Sequence, residues 1–308
     1  MTALAPPVVS QRRSPSQGGG RSGPVTWMAL PALIVFVAFA VIPLLGVLAL
    51  SFTQWDGIGQ IHPAGLNSWK RVLTDPALPH ELWVTFLIMA LSWLVQTPMS
   101  MLIGVFLAGH QRYREILAAL YFIPLLLSSA ALAITYKALL DPNFGLGAGL
   151  KIGFLVQDWL GKGSLALGVI IFVVSWQFIP FHSLLYQAGV RQIPVQLYEA
   201  AQLDGAGRVR QFFSITLPQL KYTIVTSTTL ILVGSVTLFD LIFVLTEGGP
   251  GDATRNLALD MYKRGFQANL MGPASAIAVI LVLLGLAVAL LLRRLGGGSQ
   301  SESQLEGF

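Results

Sequence analysis

The sequence predicts an all-α membrane protein with six transmembrane helices, on three observations. Of 308 residues, 54% are hydrophobic and only 11% charged, with mean hydropathy +0.70. A soluble domain spends about a quarter of its residues on charge, so this chain cannot cover a water-facing surface. The apolar residues also gather into runs near the roughly 20 helical residues that cross about 30 Å of hydrocarbon. Finally, the runs are continuous rather than alternating, which excludes barrel strands.

The elements follow in order. Residues 1–26 are rich in Ser, Gly, Pro and Gln, carry Arg12, Arg13 and Arg21, and read as a solvated, disordered tail. The run after it is too long for a signal-peptide core and lacks a small-residue cleavage site, so it reads as a retained first span. The six spans are approximately 27–52, 82–107, 116–139, 165–185, 223–245 and 274–292. Pro31, Pro43, Pro98, Pro124 and Pro180 lie within or near them and should kink them. Residues 295–308 read as a second disordered tail.

Orientation comes from the cations of the connections. Eleven of the nineteen Lys and Arg fall on one side: Arg12, Arg13 and Arg21; Arg112 and Arg114; Arg191, Arg208, Arg210 and Lys221; Arg293 and Arg294. The other eight are matched by Asp56, Asp75, Glu81, Asp141, Asp158, Glu247, Asp252 and Asp260. This bias puts both termini in the cytoplasm and segments 53–81, 140–164 and 246–273 outside. Trp55, Trp69, Trp83 and Trp159 suit membrane-belt anchors.

Composition excludes several function classes. There is no cysteine, hence no disulfide, thiolate chemistry or cysteine metal site. The net charge of +5 lies beside the apolar runs rather than on one polar domain, which argues against nucleic acid. No HExxH motif occurs, and His62, His80, His110 and His182 are scattered. Gly161-Lys162-Gly163-Ser164 is not a Walker A loop, since Lys162 is not followed directly by Ser or Thr. The chain therefore reads as non-catalytic, with no metal and no cofactor of its own.

One polar stretch between apolar runs, at about 195–218, stands out. Pro194 can start a helix, with Leu197, Ala200 and Ala201 on one face. Gly205 lets the chain turn. A second short helix from Gly207 places Val209, Phe212, Phe213 and Thr216 together, and Pro218 closes it. On physics alone this is either an amphipathic loop on lipid headgroups or a docking element for a partner.

The residues themselves point further. Glu199-Ala200-Ala201-Gln202-Leu203-Asp204-Gly205, then nine residues, then Ile215-Thr216-Leu217-Pro218, resembles the EAA loop of ABC-importer permeases. Phe239-Asp240-Leu241-Ile242-Phe243-Val244-Leu245-Thr246-Glu247-Gly248-Gly249-Pro250, with Thr254, Tyr262 and Phe266, is similar to carbohydrate permeases of the maltose-permease type. Many relatives carry a glycine where Glu247 stands. Gly65-Leu66-Asn67-Ser68-Trp69, Leu140-Asp141-Pro142 and Leu197-Tyr198 add to the likeness, which covers residues 27–294.

The resemblance implies a type I ABC importer permease-like bundle in a bacterial cell membrane, with a cytoplasmic coupling helix. It implies a second homologous permease, two cytoplasmic ABC ATPase subunits holding ATP and Mg, and an extracytoplasmic solute-binding protein. Membrane lipid surrounds the bundle, and a carbohydrate, an oligosaccharide or polyol derivative, passes through it. Glu199, Ala200, Ala201, Asp204, Gly205, Leu217 and Pro218 are then the ATPase-coupling residues. Glu199 either makes charge-assisted hydrogen bonds to the ATPase or compensates the helix dipole.

A sugar path wants aromatic platforms for C–H faces and a few polar groups for hydroxyls. Trp176, Gln177, Phe178 and Phe181, with Ser235 and Asp240, fit that description; Gln96, Ser128, Ser129 and Thr237 are further polar candidates. Each has a plainer role: the aromatics can simply pack, Ser and Thr can back-bond within helices, and His182 suits a structural role. Asp240 lies well inside the predicted fifth span. It should face the bundle or a wet cavity, accepting from a sugar hydroxyl, contributing to an outer gate, or bonding a polar neighbour. An ion-coupled secondary sugar carrier is the alternative function; it would need buried charges, for which Asp240 is thin support.

Overall fold

The computed structural model describes residues 29–109 and 111–296. The predicted tails, the cations Arg12, Arg13 and Arg21, and His110 lie outside them, except that the last helix continues to Gly296. The chain divides into two compact units at Gly46/Val47.

The first unit holds most of helix α1 (Leu30–Leu50), which contains a π turn at Val37–Val41. Pro43 has no N–H to offer the carbonyl of Phe39, four residues back, and that carbonyl lies inside the π turn. The helix absorbs its proline by widening one turn.

In the second unit a two-residue antiparallel ladder, β1 (Thr53–Gln54) with β2 (His62–Pro63), precedes α2 (Asn67–Leu73). The long α3 (Leu78–Leu107) follows. Then come α4 (Arg112–Leu126), α5 (Ser129–Leu139), α6 (Leu146–Leu150) and the long α7 (Gly163–Arg191). A short arch follows: α8 (Val195–Leu203), α9 (Arg208–Gln211), a π turn (Phe212–Thr216) and α10 (Leu217–Gln219). The chain ends with α11 (Lys221–Val236), α12 (Asp240–Leu245), α13 (Leu257–Tyr262) and α14 (Met271–Gly296).

Four helices are long and apolar enough to cross a membrane unaided: α1, α3, α7 and α14. The other two predicted spans are not continuous, which corrects the expectation of six uninterrupted helices. The run at 116–139 is bent by 93° between α4 and α5. Leu127 and Ser128 are extended there, and the Ser128 hydroxyl accepts from Ala131 N at 3.2 Å as the N-cap of α5. The run at 223–245 breaks at Thr237–Phe239, so α11 and α12 are separate. Hydropathy does not register such breaks, because every residue in them is compatible with lipid or with a cap.

Two apolar clusters build the interior. Val84 and Ile88 of α3, Leu132 of α5, Ile170 and Val173 of α7, and Leu241 and Ile242 of α12 form one. Val72 of α2, Met89 of α3, Val236 of α11, Leu257 of α13 and Ile277 of α14 form the other. The exterior stays apolar, as in Leu126, 81% exposed, which suits lipid contact.

Candidate functional site

The arch α8–α10 forms as its residues dictate. Pro194 is the N-cap of α8, and the helix ends at Asp204. Gly205 then takes φ +75°, a left-handed conformation that glycine adopts without Cβ strain. Its N–H bonds Gln202 O at 3.0 Å, and Ala206 N bonds Ala201 O at 2.8 Å. This is the Schellman pattern, in which the glycine satisfies the last helical carbonyls. A Cβ at Gly205 would meet nothing, so the requirement is conformational and not one of space.

Two side chains brace the arch. Tyr198 Oη lies 2.9 Å from Thr216 Oγ1, and Gln211 Nε2 donates to Ala206 O at 2.8 Å. As in α1, the π turn holds the carbonyl of Ser214, four residues before Pro218. Glu199, Ala200, Asp204 and Pro218 are exposed, and Ala201 and Leu217 are half-buried. Leu203, at 90% exposed, projects beside them. An exposed, braced helix with acidic and small residues on its surface can be gripped by a partner without unfolding.

The predicted pathway residues divide. Trp176 is half-buried and meets Tyr136 edge-on at 5.8 Å. Phe181 is 36% exposed. Gln177 is buried and joins the two sides of the α4–α5 break: its Nε2 donates to Leu127 O at 3.0 Å, and its Oε1 accepts from Ser129 Oγ at 3.2 Å. Ser235 is buried and donates to Ile231 O at 2.7 Å within its own helix. Asp240 is exposed in the first turn of α12 rather than deep in a continuous span. It continues an exposed stripe at helical spacing along α11: Tyr222, Thr226, Leu230, Gly234 and Thr237. Within this stripe Asp240 is the group that hydrocarbon would not tolerate; the Thr237 hydroxyl is bonded within its own helix.

A buried ion cluster went unrecognised in the sequence. Arg255 pairs with Asp260, and Arg264 Nε reaches the other Asp260 oxygen at 2.6 Å. Arg264 also meets Asp75 at 2.6 Å, and Arg255 Nε faces Glu81 at 3.2 Å and Asp252 at 3.5 Å from Nη1. Asp260 is fully buried and Glu81 1% exposed. Arg255 Nε faces Glu81 without a well-formed hydrogen bond, and burial followed by the nearby Asp260 pushes the Glu81 carboxyl up to about 8, so it holds its proton at neutral pH. The available signal was weak: Asp260 and Arg264 stand four residues apart, the spacing of one helical face, but Arg255, five residues before Asp260, lies outside α13.

Backbone donation from Ala77, outweighing partial burial, and the Arg264 guanidinium hold the Asp75 carboxyl below its usual range. Burial opposes charge on Arg255 and Arg264, but Asp260 with its neighbours raises both above the ordinary guanidinium value. A depressed carboxylate stabilises the fold above its unfolded pKa and ceases to as pH falls through the folded one. Asp75's own contribution is therefore expected to fade only below about pH 4, and Asp75→Asn to remove it. Glu81, pushed up to about 8 chiefly by burial and then by Asp260, works in the opposite sense between its unfolded value and about pH 8. Hydrogen exchange across segment 246–270 at about pH 7 and below about pH 4 checks this.

No group of three or more His, Asp or Glu suited to a metal occurs among the described residues. An open cleft of about 320 Å³ is lined by Lys137, Leu160, Leu245, Thr246, Glu247, Gly249 and Pro250.

Residues 23–297 match the family described as binding-protein-dependent transport system inner membrane component. The chain belongs to that family. As a member of this inner membrane family it is 32% identical to the probable ABC transporter permease protein YurN of Bacillus subtilis, over 87% of this chain and 94% of the relative. It is also 32% identical to the multiple sugar-binding transport system permease protein MsmF of Streptococcus mutans, over 84% and 90% respectively. A solved bacterial ABC transporter involved in the import of the acidic polysaccharide alginate shares the fold. Its TM-score is 0.76 at 23% identity, covering 88% of this chain and 94% of that one.

Proposed function

We propose that this chain is the carbohydrate-translocating permease subunit of a binding-protein-dependent ABC importer, driven through the α8–α10 arch by ATP hydrolysed on separate subunits. The observation that carries the reading is the arch itself. A braced, solvent-exposed helix with an αL glycine stop is inserted between membrane-type helices, in a chain of the transport-system inner membrane family. The sugar class is supported by MsmF, whose name describes multiple sugar-binding transport, and by the alginate importer that shares the fold.

In this reading Glu199, Ala200, Ala201, Asp204, Gly205, Leu217 and Pro218 form the contact with two ABC ATPase subunits. ATP and Mg reside there, and this chain contributes no catalytic group. The six helical regions cross the membrane, the breaks in the third and fifth lying within the bundle, and both termini are cytoplasmic. A second homologous permease completes the pore, because one bundle leaves Asp240 and the exposed stripe along α11 uncovered. Trp176 and Phe181 offer ring faces to the sugar, and Asp240 accepts from its hydroxyls. Gln177 and Ser235 support the wall, their polar atoms being engaged by the protein. A solute-binding protein delivers sugar to the segments around 53–81, 140–164 and 246–273.

The test is ATP-dependent uptake of labelled oligosaccharides into proteoliposomes holding the assembled importer, with the binding protein inside the assay. Glu199→Lys reverses the charge of the exposed helix; Gly205→Val forces a β-branched residue to positive φ, costing about 1–3 kcal/mol locally. Both variants are expected to insert normally and to lose ATPase co-purification and uptake by at least about tenfold, a loss equivalent to 1.4 kcal/mol. Unchanged ATP-driven uptake in both, or uptake by an ion gradient without ATP, would overturn the proposal.

A further inference from the structure

The C-terminal end of α3 is held by side chains of other elements. A helix leaves its last carbonyls without intrahelical partners. Here three consecutive ones are met from outside. Phe106 O accepts from Arg114 Nη1 at 2.5 Å, Leu107 O from Gln187 Nε2 at 2.9 Å, and Ala108 O from Arg191 Nε at 3.4 Å. Gln187 and Arg191 occupy successive turns of α7, and Gln187 is nearly fully buried. The bonds lie in the last turns of both helices.

This is also where α7 leads into the arch. Only Gln192, Ile193 and Pro194 separate α7 from α8. Gln192 N bonds Gly189 O at 3.2 Å and Ile193 N bonds Val190 O at 3.1 Å, so the link is wound onto the end of α7. The returning strand of the arch is seated at the same place. A Cβ on Gly189 would lie 2.8 Å from Leu220 and Thr223, at the start of α11. Displacement of α8 therefore reaches α7 with little slack.

We infer that Gln187 and Arg191 are positioning residues for energy coupling: they clamp α3 to α7 so that movement of the arch is passed to both long helices as one body. This rests on the ATPase-coupling reading given under Proposed function. Water could take the place of Arg114 at the exposed Phe106 bond, but the Leu107 bond is buried; drawing both that donor and Arg191 from the helix that leads into α8 makes the cap a mechanical connection as well.

The experiment uses the assembled importer in proteoliposomes and reads ATP hydrolysed per sugar imported. Gln187→Leu removes the buried donor at similar volume; Arg191→Met removes the exposed one, at no folding cost expected of an exposed side chain. The ratio is expected to rise about tenfold in Gln187→Leu and about threefold in Arg191→Met, because a broken connection loses part of the coupling. Arg191→Lys, which keeps a donor, should restore the wild-type ratio. A ratio unchanged in both variants, or hydrolysis and uptake falling in parallel, overturns the clamp. Should Gln187→Leu fail to insert, Arg191→Met decides alone, and a wild-type ratio there overturns it. Failure of the underlying function is distinguishable: wild-type importer would itself show no ATP-dependent uptake.

Discussion

Arg255→Met is expected to destabilise the chain by roughly 1–3 kcal/mol, the cost of leaving a buried acceptor without one of its donors. Arg255 faces Asp260, which is fully buried, and Glu81, 1% exposed. Removing it leaves Arg264 paired with Asp260, which stays fully buried and loses one of its two cations, while Glu81, pushed up to about 8, keeps its proton. A buried carboxylate cannot recover water, so the loss exceeds any surface pair. Asp252→Asn is the control, since Asp252 is 58% exposed at the rim and such pairs contribute little. Thermal unfolding of the solubilised chain measures both. Combining Arg255→Met with Glu81→Gln and Asp260→Asn should regain part of the loss, because no buried carboxylate is then left short of a donor. A melting temperature in Arg255→Met equal to that of Asp252→Asn would refute this account.

The cluster also explains why segment 246–270 is ordered although it is rich in glycine and polar groups. Asn256 caps α13 through Leu259 N at 3.0 Å while its amide holds Leu238 O at 2.7 Å. Arg264 ties the following π turn to Asp75, 189 residues away in sequence. Segment 246–270 is thus anchored by charge to Asp75, just before α3, and to the end of α11 by one amide.

These long-range ties mark the limit of sequence reading. The arch was legible because its signals are local: Pro194 at the start, an αL glycine after Asp204, and Pro218 near the end all act within one or two turns. The long apolar runs of α3, α7 and α14 were legible for the same reason. The break between α4 and α5 was not, since it depends on Gln177, some fifty residues on, satisfying Leu127 O. The same blindness hid the break before Asp240: hydropathy joined α11 and α12 into one span, whereas the carboxylate stands in the first turn of a separate helix. The partnership of Glu81 with Arg255 is invisible to any rule that reads neighbours in sequence.

Gly104→Leu is expected to be at least as damaging as Arg255→Met, by steric means. Ser100 and Gly104 present small residues one turn apart on α3, the spacing that lets membrane helices approach closely. At Gly104 a Cβ would lie 2.6 Å from both Ser183 O and Tyr186 Cβ and 3.1 Å from Gln187 N. Two of these are backbone atoms of α7, and Tyr186 is fully buried, so no flexible side chain can swing away. Even Gly104→Ala must part the two helices, at about 1–3 kcal/mol, and leucine demands more than overpacking usually costs. Ser183 Oγ is already engaged with Ile179 O at 2.8 Å, which fixes the facing turn. Protease resistance and thermal unfolding in detergent should both fall in the order glycine, alanine, leucine. Because the change separates α3 from α7 along their length, uptake and ATP hydrolysis should decline together with the amount of folded chain. That parallel decline contrasts with Gln187→Leu on the facing helix, where ATP hydrolysed per sugar is expected to rise. If Gly104→Leu melted like wild type, the close approach of α3 and α7 would not be what holds the bundle together.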